Sequence, residues 1–431
     1  MKDVSRTVID LHPVGLFRRG PAGEVEQDPG ALLPGAGLGK FGWTILDKRA
    51  KDGLSYHYEP FSTAGISDGN RKDIAGRAFA LERDSGTTRL FFVWLPTTLV
   101  NRISNGTLLA PLNFHVLFHP PTYESWYKGT RPYWTGKLPK DKVPYYVRLG
   151  IRYLCSDVNP WGGFKSVANH VMAVTGREPN LAYVVPVADH TGNFADMITP
   201  DGMLSTLNDV YRSLLTLLNA PDKPRFDTIG HVMVSGYSHS GTRLVDLMAQ
   251  FNQKHPFFTQ HLAQLNMFDI NLGDNDQQRL PKLARLWEGA RQWANVNRKA
   301  RAYVYTAYRS HYDYCLTNPI PKGNRWSETV NVNLEDVTWS DDSAQKKPGE
   351  KRGVASETYA SEGRFGLMCL PKEFFRYYID NNGKIVGNQV RGWHDDVYDL
   401  QHAHGHGLFL RGMMSHALAH ADPTFFTVRK R

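Results

Sequence analysis

Apolar positions along this chain follow two rhythms. From about residue 88, apolar runs of strand length alternate with stretches where apolar residues return every three or four positions. Residues 89–95 (RLFFVWL), 114–118 and 181–187 predict strands, and 145–154 has helical spacing. Met203, Leu204, Leu207, Val210, Tyr211, Leu214, Leu215 and Leu218 keep a 3.6-residue period and predict an amphipathic helix. A strand at 231–234, a helix at 244–251, a strand at 265–270, a helix at 280–293 and a strand at 302–308 follow, and 408–418 predicts a final helix. Such alternation demands crossover connections. It predicts an α/β fold, with a mostly parallel central sheet and helices on both faces.

Two stretches break the rhythm. Residues 1–87 are rich in glycine and proline and are expected to form an irregular extension, with short β segments such as 43–46 pairing at an edge. Residues 316–395 carry "SDDSAQKKPGEKR", many glycines and only short apolar runs, and are expected to be an insertion before the last helix. The expected organisation is thus an extension at 1–87, a main domain at 88–420 and a tail at 421–431. No repeat of fixed period is present.

Composition adds bounds. The chain has 431 residues, 41% of them hydrophobic, ample for a large core. No apolar run approaches the roughly 18 residues of a spanning helix. The start, MKDVSR, lacks the apolar segment of a secretory signal, so a cytoplasmic location is expected. Cys155, Cys315 and Cys369 are odd in number, widely spaced and without a CxxC pattern, which fits reduced thiols. The net charge of +9 is scattered. Its densest cluster, Lys346, Lys347, Lys351 and Arg352, is interleaved with Asp341, Asp342 and Glu350, as in a solvated loop. A nucleic-acid partner is therefore not expected. The basic excess is compatible with peripheral contact to an anionic lipid surface.

The chemistry concentrates in "SGYSHSG", residues 235–241, between a predicted strand and a predicted helix. A serine on a strained strand-to-helix turn needs small neighbours two positions away. Gly236 meets that need before Ser238, and Ser240 is small enough to meet it after. Framed on Ser240 instead, the motif lacks both flanking glycines, so Ser238 is the expected nucleophile. The helix start would place partial positive charge and a backbone N–H behind it. The plain alternative is a turn in which either serine caps the helix.

Strand, G-x-S-x-small-G, helix resembles the nucleophile turn of the α/β-hydrolase superfamily, in its lipase and esterase group. The order of elements from about 88 to 420 is compatible, and the departure is Ser240 where a glycine usually stands. The resemblance implies a histidine base after the last strand. The sequence offers Gln401-His402-Ala403-His404-Gly405-His406-Gly407 directly before the final helix. His406, between two glycines, is the expected base, with His404 and then His402 as alternatives. The H-x-H-x-H run also suggests a metal, but Gly405 stands where metallo-β-lactamase sites carry an aspartate, so no metal or other cofactor is expected.

The resemblance further implies an acid after the strand at 302–308, which is Asp313, with Asp269 at the preceding strand end as the alternative. The oxyanion donors would be the N–H groups of His239 and of Thr122 or Tyr123, because Pro120 and Pro121 have none. Tyr123, Trp126, Trp134 and Tyr237 are expected to line the substrate, a small-molecule or lipid ester. The implied activity is carboxylic ester hydrolysis through a Ser-His-Asp triad and an acyl-enzyme. A binding protein of the same fold without turnover, and a peptidase or amidase on the same triad, are the rivals.

Overall fold

The computed structural model describes residues 8–10, 17–19, 25–27, 76–82, 90–119, 178–187, 194–221, 224–320, 325–326, 328–332, 350–353, 357–361, 363–369, 373–379, 385–392 and 414–427. Eleven strands form the main sheet and are labelled in chain order: β1 (Val8–Asp10), β2 (Gly76–Glu82), β3 (Leu90–Pro96), β4 (Asn113–Phe118), β5 (Leu181–Val187), β6 (Val232–Tyr237), β7 (Leu262–Phe268), β8 (Arg301–Thr306), β9 (Glu328–Val332), β10 (Glu357–Ser361) and β11 (Phe365–Cys369). Their spatial order is β1-β2-β3-β5-β4-β6-β7-β8-β11-β10-β9. The block β5-β4-β6-β7-β8-β11 is parallel throughout. The strands outside it pair antiparallel on both sides.

The mostly parallel sheet expected from the alternation is therefore present. The described helices are α1 (Thr97–Ser104), α2 (Pro200–Leu217), α3 (Gly241–Met248), α4 (Asp276–Val296), α5 (Arg309–Thr317) and α6 (Met414–Ala419). Strand alternation sorts the core into two faces. Val116, Val234, Met267 and Val304 share one buried cluster with Leu207 of α2, Leu244 of α3, Trp287 of α4 and Tyr312 of α5. The other face carries His115, Ser235 and Asn266, and there Gln264 donates to the Ala417 carbonyl of α6 at 3.1 Å. Helices thus flank the sheet on both sides. Among the described residues no helix is long and apolar enough to cross a membrane.

Both stretches that broke the sequence rhythm reach the main sheet. β1 and β2 come from 1–87, and β9, β10 and β11 from 316–395. Residues 373–379 and 385–392 pair as a hairpin, with 350–353 alongside, in a separate small sheet. The helix at 145–154 and the β segment at 43–46 lie outside the described residues.

Candidate active site

The site is built at the carboxyl ends of β4, β6, β7 and β8. Register pairs bring these ends to one level: Phe118 lies opposite Gly236, Phe268 opposite Tyr237, and Phe268 opposite Tyr305. Open parallel sheets bind ligands at this edge.

Ser238 follows β6 directly and has φ +55°. A serine rarely adopts this left-handed conformation, which costs on the order of 1–3 kcal/mol and persists only where the surroundings impose it. Those surroundings are specific. A Cβ on Gly236 would lie 2.8 Å from Leu244 Cδ1, and one on Gly241 would lie 2.4 Å from Ile270 Cβ. The small residues of the motif thus let α3 pack tightly on the ends of β6 and β7. The Asn271 N–H donates to the Ser238 carbonyl at 2.8 Å, holding the turn from the β7 side. Ser240 is buried, and its hydroxyl accepts the Tyr237 N–H at 2.9 Å. Ser238 is half-buried, whereas the His239 side chain is exposed.

Asp269 stands one residue past β7, next to Ser238 on the neighbouring strand end. It too has positive φ, +44°, and it is fully buried. Its Oδ1 accepts the Ala307 N–H at 2.9 Å, and its own N–H donates to the Tyr305 carbonyl at 2.7 Å. Tyr308 and His311 crowd around it. Burial, and then the Asp269 charge, push the Tyr308 phenol well above its ordinary range. Burial lowers the His311 imidazole to about 4, although the charges of Asp269 and Asp276 pull the other way. The Arg279 guanidinium lies 4.3 Å from the Tyr308 ring centroid, and the His311 ring 4.9 Å from it. Sequence reading passed over Tyr308 and His311. The one available signal was the density of titratable groups in YRSHYDY.

Asp313 sits differently. The segment after β8 forms helix α5 rather than a loop, so Asp313 lies more than a turn inside it. It is exposed, and Oδ1 pairs with Arg309 Nε at 2.8 Å. Tyr237, expected at the substrate mouth, is instead fully buried, because strand alternation turns its ring to the face that carries Met233 and Ser235. Thr122, Tyr123, Trp126, Trp134, His402, His404 and His406 lie outside the described residues.

A parallel block with Ser238 in a left-handed turn between its β6 strand and α3 decides the architecture. That arrangement is consistent with an α/β-hydrolase fold. No protein-family model matches the chain, and no curated protein does. Among solved structures it is similar to the apoenzyme of an S-formylglutathione hydrolase (FrmB) from Staphylococcus aureus, with 14% identity and a TM-score of 0.31 over 57% of this chain and 84% of that one. It is also similar to ESTFA in an iron-lacking apo form, with 9% identity and a TM-score of 0.25 over 61% of this chain and 77% of that one.

Proposed function

We propose that this chain is a serine hydrolase of carboxylic esters, with Ser238 as nucleophile. The observation that carries the reading is the left-handed backbone of Ser238 at the carboxyl end of a central parallel strand, at the start of α3. In a nucleophile turn such a backbone lifts Oγ off the sheet edge, with the next residue's N–H, here that of His239, beside it, which supports the reading.

In the proposed reaction Ser238 Oγ attacks the ester carbonyl while a histidine takes its proton. The carbonyl oxygen gathers negative charge, which the His239 N–H stabilises together with a donor from the loop after β4, where Thr122 and Tyr123 are the candidates. The tetrahedral species collapses, the alcohol leaves with the proton held by the histidine, and an acyl-serine remains. Water, deprotonated by the same histidine, releases the acid and restores Ser238.

The base is assigned to His406, with His404 and His402 as alternatives, on chain order and reach. These histidines precede α6, which Gln264 of β7 ties to the sheet. His406 stands eight positions before Met414, a span of at most about 28 Å. The five strand positions from Gln264 to Asp269 rise roughly 17 Å, within that reach. Asp269 is proposed as the acid, because a sheltered carboxylate one strand from the nucleophile can hold an imidazolium better than an exposed one. Asp313 is the weaker candidate.

The experiment is covalent labelling. A fluorophosphonate probe should modify the purified protein at Ser238, located by peptide mass spectrometry, and Ser238→Ala should remove the label and the hydrolysis of short-chain p-nitrophenyl esters. An unlabelled wild-type protein, or a label that survives Ser238→Ala, overturns the reading. A matched panel of esters, amides and peptides then tests whether esters are preferred.

A further inference from the structure

The position at which the motif departs from G-x-S-x-G has chemistry of its own. Ser240 is 2% exposed. Its Oγ accepts the Tyr237 N–H at 2.9 Å and lies 2.5 Å from the Phe118 carbonyl oxygen and 2.7 Å from that of Tyr237. A hydroxyl carries one proton, and the carbonyls of Tyr237 and of Phe118, the latter 122 positions away in the chain, are both within its reach.

Phe118 is the last residue of β4, opposite Gly236 in the final pair of the β4–β6 ladder. Past it the sequence reads His119-Pro120-Pro121, and a proline has no N–H with which to continue a ladder. The Ser240 hydroxyl therefore joins the two strand ends where backbone pairing stops. Phe118 and His119 also meet Phe194 edge-on, at 5.1 and 5.5 Å between centroids. Such packing is weakly directional, whereas the hydroxyl bond fixes a direction. A glycine at 240 would permit the turn equally well and leave the Phe118 carbonyl and the Tyr237 N–H without this partner.

We infer that Ser240 is a positioning residue for oxyanion stabilisation: its hydroxyl fixes the turn that presents Ser238 and the His239 N–H against the end of β4. The inference rests on Ser238 being the nucleophile. Oxyanion donors act through preorganisation and must stand about 2.7–3.1 Å from the oxygen as charge develops on it. Substrate in its ground state makes no such demand, so loosening this junction should slow turnover and leave binding alone.

The test compares Ser240→Gly, Ser240→Ala and Ser240→Cys with the wild type. It measures ester hydrolysis, inhibition by an alkyl trifluoromethyl ketone that adds to an active serine, and the rate of fluorophosphonate labelling. The glycine and alanine variants should lose about tenfold to a hundredfold in kcat, near the cost of a displaced oxyanion donor. KM should stay within about threefold, because only interactions made in the transition state are lost. Ketone affinity and labelling rate should fall in parallel with kcat. Ser240→Cys keeps a weak donor and should fall between. The acid limb of the pH profile should not move, since the base is untouched. Wild-type kcat in folded Ser240→Gly, losses that only track a lower folded fraction, or a shifted acid limb each overturn the inference. Equal labelling of wild type and variants overturns it while leaving Ser238 as nucleophile. An unlabelled wild-type protein removes both.

Discussion

Asp269 is fully buried, with its carboxylate accepting the Ala307 N–H, while Asp313 is exposed on a helix and engaged by Arg309. An exposed ion pair within one helix is worth only about 0.3–0.5 kcal/mol, and solvent screens its field. A buried carboxylate acts on a neighbouring imidazolium with little screening. If Asp269 orients the base, Asp269→Asn should lower kcat by about 10³–10⁴-fold through loss of the tautomer and of the charge. Asp313→Asn should stay within severalfold, and ester hydrolysis by the two folded variants decides the assignment. The sequence left these two residues close to even, because residue spacing says which strand ends carry an aspartate and not which end is sheltered. Gly236 and Ser238 were legible because the steric demand of the turn is local. The Ser240 hydroxyl was not, because its partner lies on a strand more than a hundred positions earlier.

Elements were more legible than their ends. Strand β6 was expected to stop at residue 234 and runs to Tyr237, and β7 was expected to start at residue 265 and starts at Leu262. Both misplacements have one cause. Ser235 and Gln264 are polar, and an apolar pattern stops short of them, yet both are fully buried in strands, as is Asn266. They pair with one another: Asn266 Nδ2 donates to Ser235 Oγ at 3.0 Å, and Gln264 Nε2 to Asn266 Oδ1 at 2.9 Å. These bonds offset part of the desolvation penalty of such a run, although Gln264 Oε1 has no hydrogen-bond partner among the described residues. The junction of β6, α3 and β7 also makes a prediction of its own. Gly241 is pressed against Ile270, where an added methyl would meet Cβ at 2.4 Å. Gly241→Ala should destabilise the protein by about 1–3 kcal/mol, the usual range for overpacking. The double variant Gly241→Ala, Ile270→Val should recover part of that loss, both read from urea midpoints. An unchanged midpoint in the single variant would mean that α3 is not seated on β7 as described.

At the scale of the whole molecule, the alternation of strand and helix gave β4 to β8 of the parallel block, but not β11, which joins it from the stretch expected to be an insertion, nor β9 and β10, whose antiparallel pairing needs no crossover and leaves no such rhythm. The buried histidines act at this scale as well, through stability. His115 on β4 is fully buried with Nε2 2.7 Å from Ser235 Oγ, and burial lowers its pKa to about 3. His311 is held at about 4, again mainly by burial. Both values lie below the roughly 6.5 of an unfolded histidine, so the unfolded chain binds protons that the folded chain refuses. Their neutral burial is therefore without this proton-linked cost above about pH 6.5, and stability falls as pH drops from there toward 4 and then 3. In that window each histidine contributes a slope of about 1.4 kcal/mol per pH unit. His115→Gln keeps a partner for Ser235 and removes one titration. Its unfolding free energy, from urea curves between about pH 7.5 and 4.5, should decline less steeply than that of the wild type by about that amount. Carboxylates titrating in the same range are common to both proteins and cancel in the difference. Parallel curves would mean that His115 takes up its proton in the folded state. The same window holds the expected titration of a histidine base, so loss of ester hydrolysis below about pH 6.5 has two sources. The His115→Gln variant separates them: its folded fraction should hold to lower pH, while the titration of the base should not move.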